Sequence, residues 1–486
     1  MPGIMIQGTA SSAGKSLITA ALCRIFSNDG YHVVPFKSQN MSLNSYVTLE
    51  GLEMGRAQVL QAQASRVEPS ADMNPILLKP TSDRKSQVII NGRPYMNMDA
   101  AEYFEFKPSL RNMITEVYNN LEKQFDFVVI EGAGSPAEIN LKENDIVNMG
   151  MAEIADAAVL LVADIDRGGV FASIYGTVML LEHEERNRIK GIIINKFRGD
   201  KEILMSGVDM IEKLVSIPVI GIVPYMNVNL DEEDGASDFI DTIEGEISIA
   251  IIKLPRISNF TDFDAFRFDK DVSLKFITSP EEIGNCDILI IPGSKNTIED
   301  LRWLKRAGFE NKIKSFKGIL FGICGGYQMM GSKIIDIEGW EVNKGEEESA
   351  LEIFDTVTVF EGEKITSNVE GKASGCKVYG YEIHSGRTYG NKNPFVHIES
   401  RQGKKEDYYD GDRFQNRFYG TYLHGIFDSN EFRSSILNQI RRQKNLEESC
   451  SIDLRENREE ELERLAATVK ENIDVDYIYR LLGKKI

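Results

Sequence analysis

Gly318-Ile-Leu-Phe-Gly-Ile-Cys-Gly-Gly-Tyr-Gln-Met-Met-Gly331 decides how this chain is read. Gly318 to Phe321 have the composition of the end of a buried strand, and Tyr327 to Met330 begin a helical pattern. Between them Gly322, Gly325 and Gly326 crowd around Cys324. A small-residue turn from strand to helix tolerates a strained backbone and projects a side chain clear of the sheet. It also sets a thiol at a helix N-terminus, which favours the thiolate. Gly-x-Cys-x-Gly is thus the cysteine counterpart of the Gly-x-Ser-x-Gly elbow. A buried cysteine in a glycine-rich turn would leave the same pattern. Against that plainer reading stands His424, one hundred residues on, in Phe-Tyr-Gly-Thr-Tyr-Leu-His-Gly-Ile-Phe-Asp. An apolar strand ending in an exposed His is where a general base for the thiol is expected.

These two segments resemble the class I, or triad, glutamine amidotransferases, which hydrolyse glutamine and pass the ammonia to a second active site. The resemblance makes Cys324 and His424 the catalytic pair. It gives Gly293-Ser294, in Ile-Ile-Pro-Gly-Ser-Lys, the role of an oxyanion-hole turn together with Gly325. It also implies an ammonia acceptor elsewhere in the chain. One departure stands out: the usual His-x-Glu is missing, because Ile426 occupies the place of the Glu and Asp428 lies two residues further on. Either another carboxylate orients His424, or Cys and His act as a dyad. Tyr379-Gly-Tyr-Glu-Ile-His-Ser-Gly-Arg-Thr388 presents His384 and Arg387 on an exposed turn, for glutamine or for a domain contact.

Working back to the N-terminus, Ile4-Met-Ile-Gln7 reads as a strand, followed by Gly8-Thr-Ala-Ser-Ser-Ala-Gly-Lys-Ser16 and an apolar helical run, Leu17 to Phe26. Strand, Gly/Ser loop, Gly-Lys-Ser and helix form a phosphate-binding context. Backbone N–H groups of Gly8, Thr9, Ala13 and Gly14 wrap the phosphates, Lys15 reaches the outer oxygens, and the Ser16 hydroxyl is placed for Mg2+. Thr9 stands where the usual spacing puts the first glycine, so the loop is one residue longer. That variant resembles the dethiobiotin-synthetase branch of P-loop enzymes, which phosphorylate a carboxylate. Phe125-Asp-Phe-Val-Val-Ile-Glu-Gly-Ala-Gly is a buried strand ending in an acid, so Glu131 is the expected partner of Mg2+ opposite Ser16. Asn195-Lys196 suggests a guanine-selecting motif, but Arg198 stands where its Asp belongs, and adenine is the expected base, with Asn195 at the nucleotide.

A second strand, His32 to Phe36, runs into Lys37-Ser-Gln-Asn-Met-Ser-Leu-Asn-Ser-Tyr46. Open parallel sheets bind ligands at such strand ends. Lys37 suits an acyl phosphate, while Gln39, Asn40, Ser42, Asn44 and Ser45 offer neutral groups to a large polar substrate. Lys79, Arg84 and Lys85 are a further candidate anion patch. Residues 99–124 read as one helix.

The bulk numbers set the frame. At 486 residues, with 42% hydrophobic and 27% charged residues, the chain is expected to be a soluble protein of more than one domain. A net charge of -19 argues against nucleic acid and against an anionic membrane. Five scattered cysteines, with no metal-binding spacing, suit a reducing cytoplasm. No apolar run reaches membrane-spanning length, and the first residues lack the basic stretch of a secretory leader. The expected fold class is α/β, with two domains. Each is an open, mostly parallel sheet flanked by helices, the first P-loop NTPase-like and the second flavodoxin-like. The expected bounds are 1–229 for the ATP-dependent synthetase domain, 230–246 for an acidic linker, 247–440 for the amidotransferase domain and 441–486 for a helical tail.

Gln-Gly-Thr-Ala-Ser-Ser-Ala-Gly-Lys-Ser, Pro-Phe-Lys-Ser-Gln-Asn-Met-Ser-Leu-Asn-Ser, Asp-Met-Asn-Pro-Ile-Leu-Leu-Lys-Pro, Asp-Ile-Asp-Arg-Gly-Gly-Val-Phe and Leu-Pro-Arg-Ile-Ser-Asn-Phe-Thr-Asp resemble the cobyric acid synthase family along essentially the whole chain. That resemblance implies ATP- and glutamine-dependent amidation of the b, d, e and g carboxylates of adenosylcobyrinic acid a,c-diamide, in cobalamin biosynthesis. It implies ATP and Mg2+, no tightly bound organic cofactor, and small-molecule partners: a corrinoid polycarboxylate, L-glutamine and ATP. The sister a,c-diamide synthases share the architecture but carry a Gly-Pro-Asp-Tyr type of loop after the second strand. A ParA/MinD-like switch would need a signature lysine among residues 8–13, which hold none. A catalytically silent corrinoid-binding protein would not need Lys15, Glu131, Cys324 and His424. The order of amidation, the ammonia path and the oligomeric state leave no trace in the sequence.

Overall fold

Long β-branched runs bounded by glycine form strands that can be buried on both faces, and such strands favour parallel sheets covered by helices. The computed structural model, which describes residues 3–81, 85–228, 230 and 245–484, bears this out. Residues 231–244, most of the acidic linker, lie outside the described residues, as does Arg84. The chain divides into two compact units. One comprises Met1–Ser42, Met54–Gly235 and Glu456–Ile486; the other comprises Leu43–Glu53 and Ala236–Arg455.

The first unit is built on a parallel sheet in the order Val219–Pro224, Ile189–Phe197, Ala158–Asp164, Gly3–Gly8, Phe127–Glu131, Val33–Phe36. Gly3–Gly8 is central and wholly buried, with Met5 opposite Val159 on one side and Ile130 on the other. The helix Lys15–Asn28 follows it and buries Ile18, Leu22, Ile25 and Phe26. The charged C-terminal stretch joins this core. Leu462, Leu465, Val469 and Ile478, at helical spacing, bury their apolar side in the same cluster as Ile18 and Leu22. Arg24, fully buried, is met there by Glu459 at 2.8 Å and Glu463 at 3.1 Å.

One expectation for this unit is corrected. Residues 99–124 do not form one helix: Ala100–Phe106, a 3-10 turn at Lys107–Leu110 and Arg111–Gln124 follow one another. Pro108 has no N–H to continue the ladder, and its ring crowds the preceding turn. The stretch that carries the candidate anion patch belongs to a small sheet, in the order Gln39–Met41, Ile76–Pro80, Lys85–Ile90, Arg93–Asp99. Its hairpin turns at Asn91-Gly92, with φ 47° and 73°, the left-handed pair that a tight two-residue hairpin requires. Lys79 is buried and Lys85 exposed.

The second unit carries a sheet in the order Val272–Ile277, Ile247–Ile252, Ile288–Ile291, Ile319–Ile323, Phe418–Thr421, Asp412–Phe414, parallel except for its last strand. A second, largely antiparallel sheet lies in sequence between the core strands Ile319–Ile323 and Asp412–Phe414. Its long pair, Val357–Ala373 and Cys376–Tyr389, is absent from the sequence reading. The segment Leu43–Glu53 belongs to this unit: Asn368 Nδ2 donates to the carbonyls of Val47 and Thr48, and Glu53 pairs with Lys364. No helix among the described residues is long and apolar enough to cross a membrane.

Candidate active sites

In the first unit the phosphate loop hangs between the central strand and the helix Lys15–Asn28. The extra residue is absorbed by the sheet, because the Thr9 N–H still donates to Val162 O at 2.9 Å and prolongs the ladder. Beyond it the chain turns through Ser12 and Gly14, at φ 56° and 96°. Asn195 Nδ2 donates to Ala13 O (3.0 Å) and Lys196 Nζ to Ser12 O (2.7 Å), so the strand end Ile189–Phe197 buttresses the loop. Arg198 lies over the Tyr225 ring at 3.5 Å and pairs with Asp166 at 3.0 Å. Lys15 Nζ donates to the carbonyls of Ala10 (3.0 Å) and Gly134 (3.1 Å), which spans the mouth of the loop.

Glu131 is the centre of this site. Its carboxylate accepts from Ser16 Oγ (2.8 Å), Lys37 Nζ (3.1 Å) and Gln61 Nε2 (2.5 Å). Burial pushes its pKa up, but Lys37, followed by Gln61, Ser16 and Lys15, outweighs burial and holds it below the ordinary value. An ionised carboxylate is therefore maintained in a buried position. Gln61 is a member that the sequence reading missed: it is one more glutamine on a helix, and only the fold aims it at Glu131.

The neutral groups after the second strand part company. Gln39 accepts from the Tyr103 hydroxyl at 2.6 Å. Asn40, the next residue of the strand, points the opposite way and donates to Gln58 at 2.9 Å in the interior. Ser42 is buried and continues the pairing through its N–H to Leu78 O. Asn44 and Ser45 are in the second unit, both buried.

In the second unit Cys324 sits between the strand Ile319–Ile323 and the short helix Gly325–Met330, at φ 51° and ψ -108°. A non-glycine residue is seldom found there, and its strain is held by the Cys324 N–H to Thr421 O (2.8 Å) and by close packing of Gly326 on Ile291. A Cβ on Gly326 would fall 1.9 Å from Ile291 O. A Cβ on Gly325 would lie 2.9 Å from Ser294 N, and one on Gly293 3.1 Å from His424 Cε1. Gly293, Ser294 and Gly325 thus border the Cys–His pair.

His424 is not exposed, as the sequence suggested, but 1% accessible. Its backbone is stitched to Tyr381 in both directions, by N–H to O contacts of 2.9 and 3.1 Å, and the Tyr381 ring stacks on the imidazole at 5.2 Å. The orienting carboxylate comes from far upstream. Asp262 Oδ2 is 2.6 Å from His424 Nδ1, and Asp262 Oδ1 accepts the Gly425 N–H at 3.1 Å. Of the two readings left open, a carboxylate partner is the one present. Burial alone would lower the His424 pKa, but the Asp262 carboxylate and the Cys324 sulfur outweigh it and raise it to about 10. Imidazole and carboxylate are therefore hydrogen-bonded with the proton held on His424, close enough to the Cys324 sulfur to feel its charge, while the sulfur itself lies 3.8 Å from Ile383 O. Asp262 was hidden in the aromatic run Phe260–Phe268, inside Leu-Pro-Arg-Ile-Ser-Asn-Phe-Thr-Asp, a stretch quoted above without a role.

His384 and Arg387 are also corrected. They lie within the strand Cys376–Tyr389, where His384 is buried and stacked on Tyr422 at 3.7 Å. Burial holds the imidazole neutral, with its pKa pushed down to about 3. Both residues line a cavity of about 320 Å³ with Glu382, Arg401 and Tyr408.

Residues 4–236 match the CobQ/CobB/MinD/ParA nucleotide binding domain, and residues 248–432 match the CobB/CobQ-like glutamine amidotransferase domain. The chain is 54% identical to a cobyric acid synthase of Clostridium tetani (strain Massachusetts / E88), over 99% of each chain. It is likewise 54% identical to one of Clostridium botulinum (strain ATCC 19397 / Type A), over 100% of each. A third, from Clostridium acetobutylicum, is 53% identical over 99% of each. With a glutaminase-type thiol in one unit, a phosphate loop in the other and relatives matched from end to end, the chain belongs to the cobyric acid synthase family of glutamine-dependent ligases.

Proposed function

We propose that this chain amidates the b, d, e and g carboxylates of adenosylcobyrinic acid a,c-diamide, with ATP as phosphoryl donor and glutamine as nitrogen source. The observation that carries the reading is the hydrogen-bonded His424–Asp262 pair with Cys324 on its strained elbow, present in the same polypeptide as Lys15, Ser16 and Glu131 around a phosphate loop. Cys324 attacks the glutamine side-chain amide, and the tetrahedral oxyanion faces the amides of Ser294 and Gly325. His424 gives its proton to the departing nitrogen, releasing ammonia and leaving a glutamyl thioester. Water then attacks the thioester, with His424 taking its proton, and glutamate and the thiol are restored. Asp262 holds the imidazole in one tautomer throughout.

In the other unit a carboxylate oxygen of the acceptor attacks the γ-phosphorus of ATP, and ADP departs. Ammonia attacks the acyl phosphate carbon, the C–O bond to phosphate breaks, and inorganic phosphate leaves with that electron pair and a proton from the nitrogen, giving the amide. Lys15 and Lys37 offset the charge of the transferred phosphoryl. Ser16 Oγ and the ionised Glu131 are two hard oxygens 2.8 Å apart, a donor set that fits Mg2+ completed by water and phosphate oxygens. When bound, Mg2+ would supply further charge neutralisation at the phosphates. Soluble substrates and nucleotide place the reaction in the cytoplasm.

The direct test is mass spectrometry of the corrinoid after incubation with enzyme, ATP, Mg2+ and glutamine. Successive replacement of OH by NH2 at the side chains, dependent on both ATP and glutamine, is expected. Glutamine consumption with an unchanged corrinoid would overturn the assignment of the acceptor.

A further inference from the structure

The first unit has a second recess, which the chemistry above does not use. It is a cavity of about 320 Å³ between the small sheet and the helix Ala100–Phe106. Its walls are mainly apolar, with Met41, Val88, Met98, Phe104 and Leu141 among them. Two of these, Met41 and Leu141, are 60% and 48% exposed, so the apolar lining continues onto the surface.

Lys107 lines this cavity and is only 9% exposed. Among the described residues its ammonium has no hydrogen bond and no ion pair. Two carboxylates are near, and both are committed elsewhere. Asp99 caps the helix Ala100–Phe106, accepting from the N–H groups of Ala101 and Glu102. Asp145 acts on Lys107 only through space, because its oxygens accept from the N–H groups of Val147, Asn148 and Gly150. A buried cation with no direct anionic partner is costly to keep, and such a group is favoured where a ligand brings the missing charge.

Position argues for the identity of that ligand. Gln39 and Tyr103, hydrogen-bonded to each other, line the same cavity. Lys37, whose ammonium meets Glu131 at the phosphate site, lies two residues before Gln39. Extended chain rises roughly 3.3 Å per residue, so the rim of the cavity starts about 7 Å along the backbone from Lys37.

We propose that this cavity seats one edge of the acceptor, an amphiphilic macrocycle with peripheral carboxylates. The apolar ring face lies on Val88, Met98 and Phe104, and a carboxylate that is not reacting meets Lys107. The inference rests on the amidation reading given above. It assigns Lys107 a consequence for turnover: each carboxylate converted to an amide removes a possible partner for the ammonium, so the fully amidated product is held less tightly than the substrate. Product release then needs no separate device.

The test is equilibrium dialysis of the corrinoid, followed by its visible absorbance, with the substrate diamide and with the fully amidated product. The full-length wild type, Lys107→Met, Lys107→Arg and Val88→Trp are compared. A charge-assisted hydrogen bond lost at a buried site predicts that Lys107→Met weakens substrate binding roughly tenfold or more while product binding moves less than about twofold. Lys107→Arg keeps the preference for substrate, and Val88→Trp, which fills the cavity, weakens both ligands. Lys107→Met is expected to unfold at the same temperature as wild type or higher, because it removes a desolvated charge. Its glutamine hydrolysis and nucleotide binding stay at wild-type levels. Unchanged substrate affinity in Lys107→Met, or equal loss for substrate and product, overturns the proposal. Absence of amidation by the wild type overturns the functional reading instead, whatever the dialysis shows.

Discussion

The phosphate loop and the cysteine elbow are built from the same parts, a buried parallel strand, a strained turn and a helix, yet they work by opposite means. In the proposed chemistry the loop binds with its backbone. Its left-handed positions are Ser12 and Gly14, and Lys15, Asn195 and Lys196 brace its carbonyls. In the elbow the proposed chemistry falls to a single side chain, and the strain falls on that residue, Cys324, at φ 51°. The loop is nearly complete within nine consecutive residues, 8–16, whereas the elbow needs partners from 162 residues before His424 and from one hundred residues after Cys324. A backbone site is local, and a side-chain site is an assembly.

The largest effect should come from removing the acting side chain. Cys324→Ser is expected to lower glutamine-dependent amidation by about 10⁴-fold or more, while amidation from added ammonium salts continues. Parallel loss of both activities would show that the two sites are not separable. Lys15→Ala should lower amidation from either nitrogen source by roughly two to four orders of magnitude, because the transferred phosphoryl loses its counter-charge. Glutamine hydrolysis survives in that variant, and a glutaminase assay without ATP checks it.

Asp262→Asn sharpens the claim that the elbow depends on distant partners. Loss of the orienting carboxylate should lower glutamine hydrolysis roughly 10²-fold or more, with ammonia-dependent amidation intact. The pH behaviour separates positioning from packing. The folded-state pKa of His424 is raised, to about 10 from an ordinary value of 6.5, so the stability it contributes is fully present below pH 6.5. That contribution is lost as pH rises through about 10. The difference in unfolding temperature between wild type and Asp262→Asn should therefore be widest near pH 6 and shrink toward pH 10; a constant difference would mean that Asp262 acts by packing alone.

Lys37→Met is expected to slow each of the amidations by a similar factor, roughly 10²-fold. A block at one corrinoid position only, seen in the mass profile of intermediates, would make Lys37 a side-chain reader. The smallest effect belongs to Gly14→Ala. A Cβ there would sit 2.1 Å from Asn195 Nδ2 at a φ of 96°. The left-handed backbone costs about 1–2 kcal/mol, so nucleotide binding by calorimetry should weaken roughly tenfold. Adding Asn195→Ala relieves the contact but not the conformation, so the double variant should recover only in part.

This contrast also explains what could be read from the sequence. The phosphate loop, the acid at the end of Phe127–Glu131 and the elbow were legible because each lies in one strand-turn-helix passage. Asp262 was not, since nothing local distinguishes an acid that meets a histidine from one that meets water; only the fold brings Phe260–Phe268 to His424. Gln61 was missed for the same reason. The small sheet is a different case: Val88-Ile-Ile-Asn-Gly-Arg carries a hairpin signal, but the charged run Asp83-Arg-Lys before it interrupts the alternation expected of a strand. The long antiparallel pair Val357–Ala373 and Cys376–Tyr389 alternates in burial, yet its polar face is so rich in charge that the strands read as loop.

The way the two units share the chain has a consequence for its birth on the ribosome. Leu43–Glu53, made early, completes the unit whose remaining residues come some two hundred positions later, and Glu456–Ile486, made last, completes the unit begun at the first strand. The strand Gly3–Gly8 and its helix must therefore wait, with Ile18 and Leu22 lacking part of their cover, until Leu462, Leu465 and Val469 emerge. Neither unit can be cut out as one continuous segment and keep its own core. A gene split between residues 229 and 245 would produce two polypeptides, each carrying a piece that belongs to the other, and such halves should regain their fold only when made together.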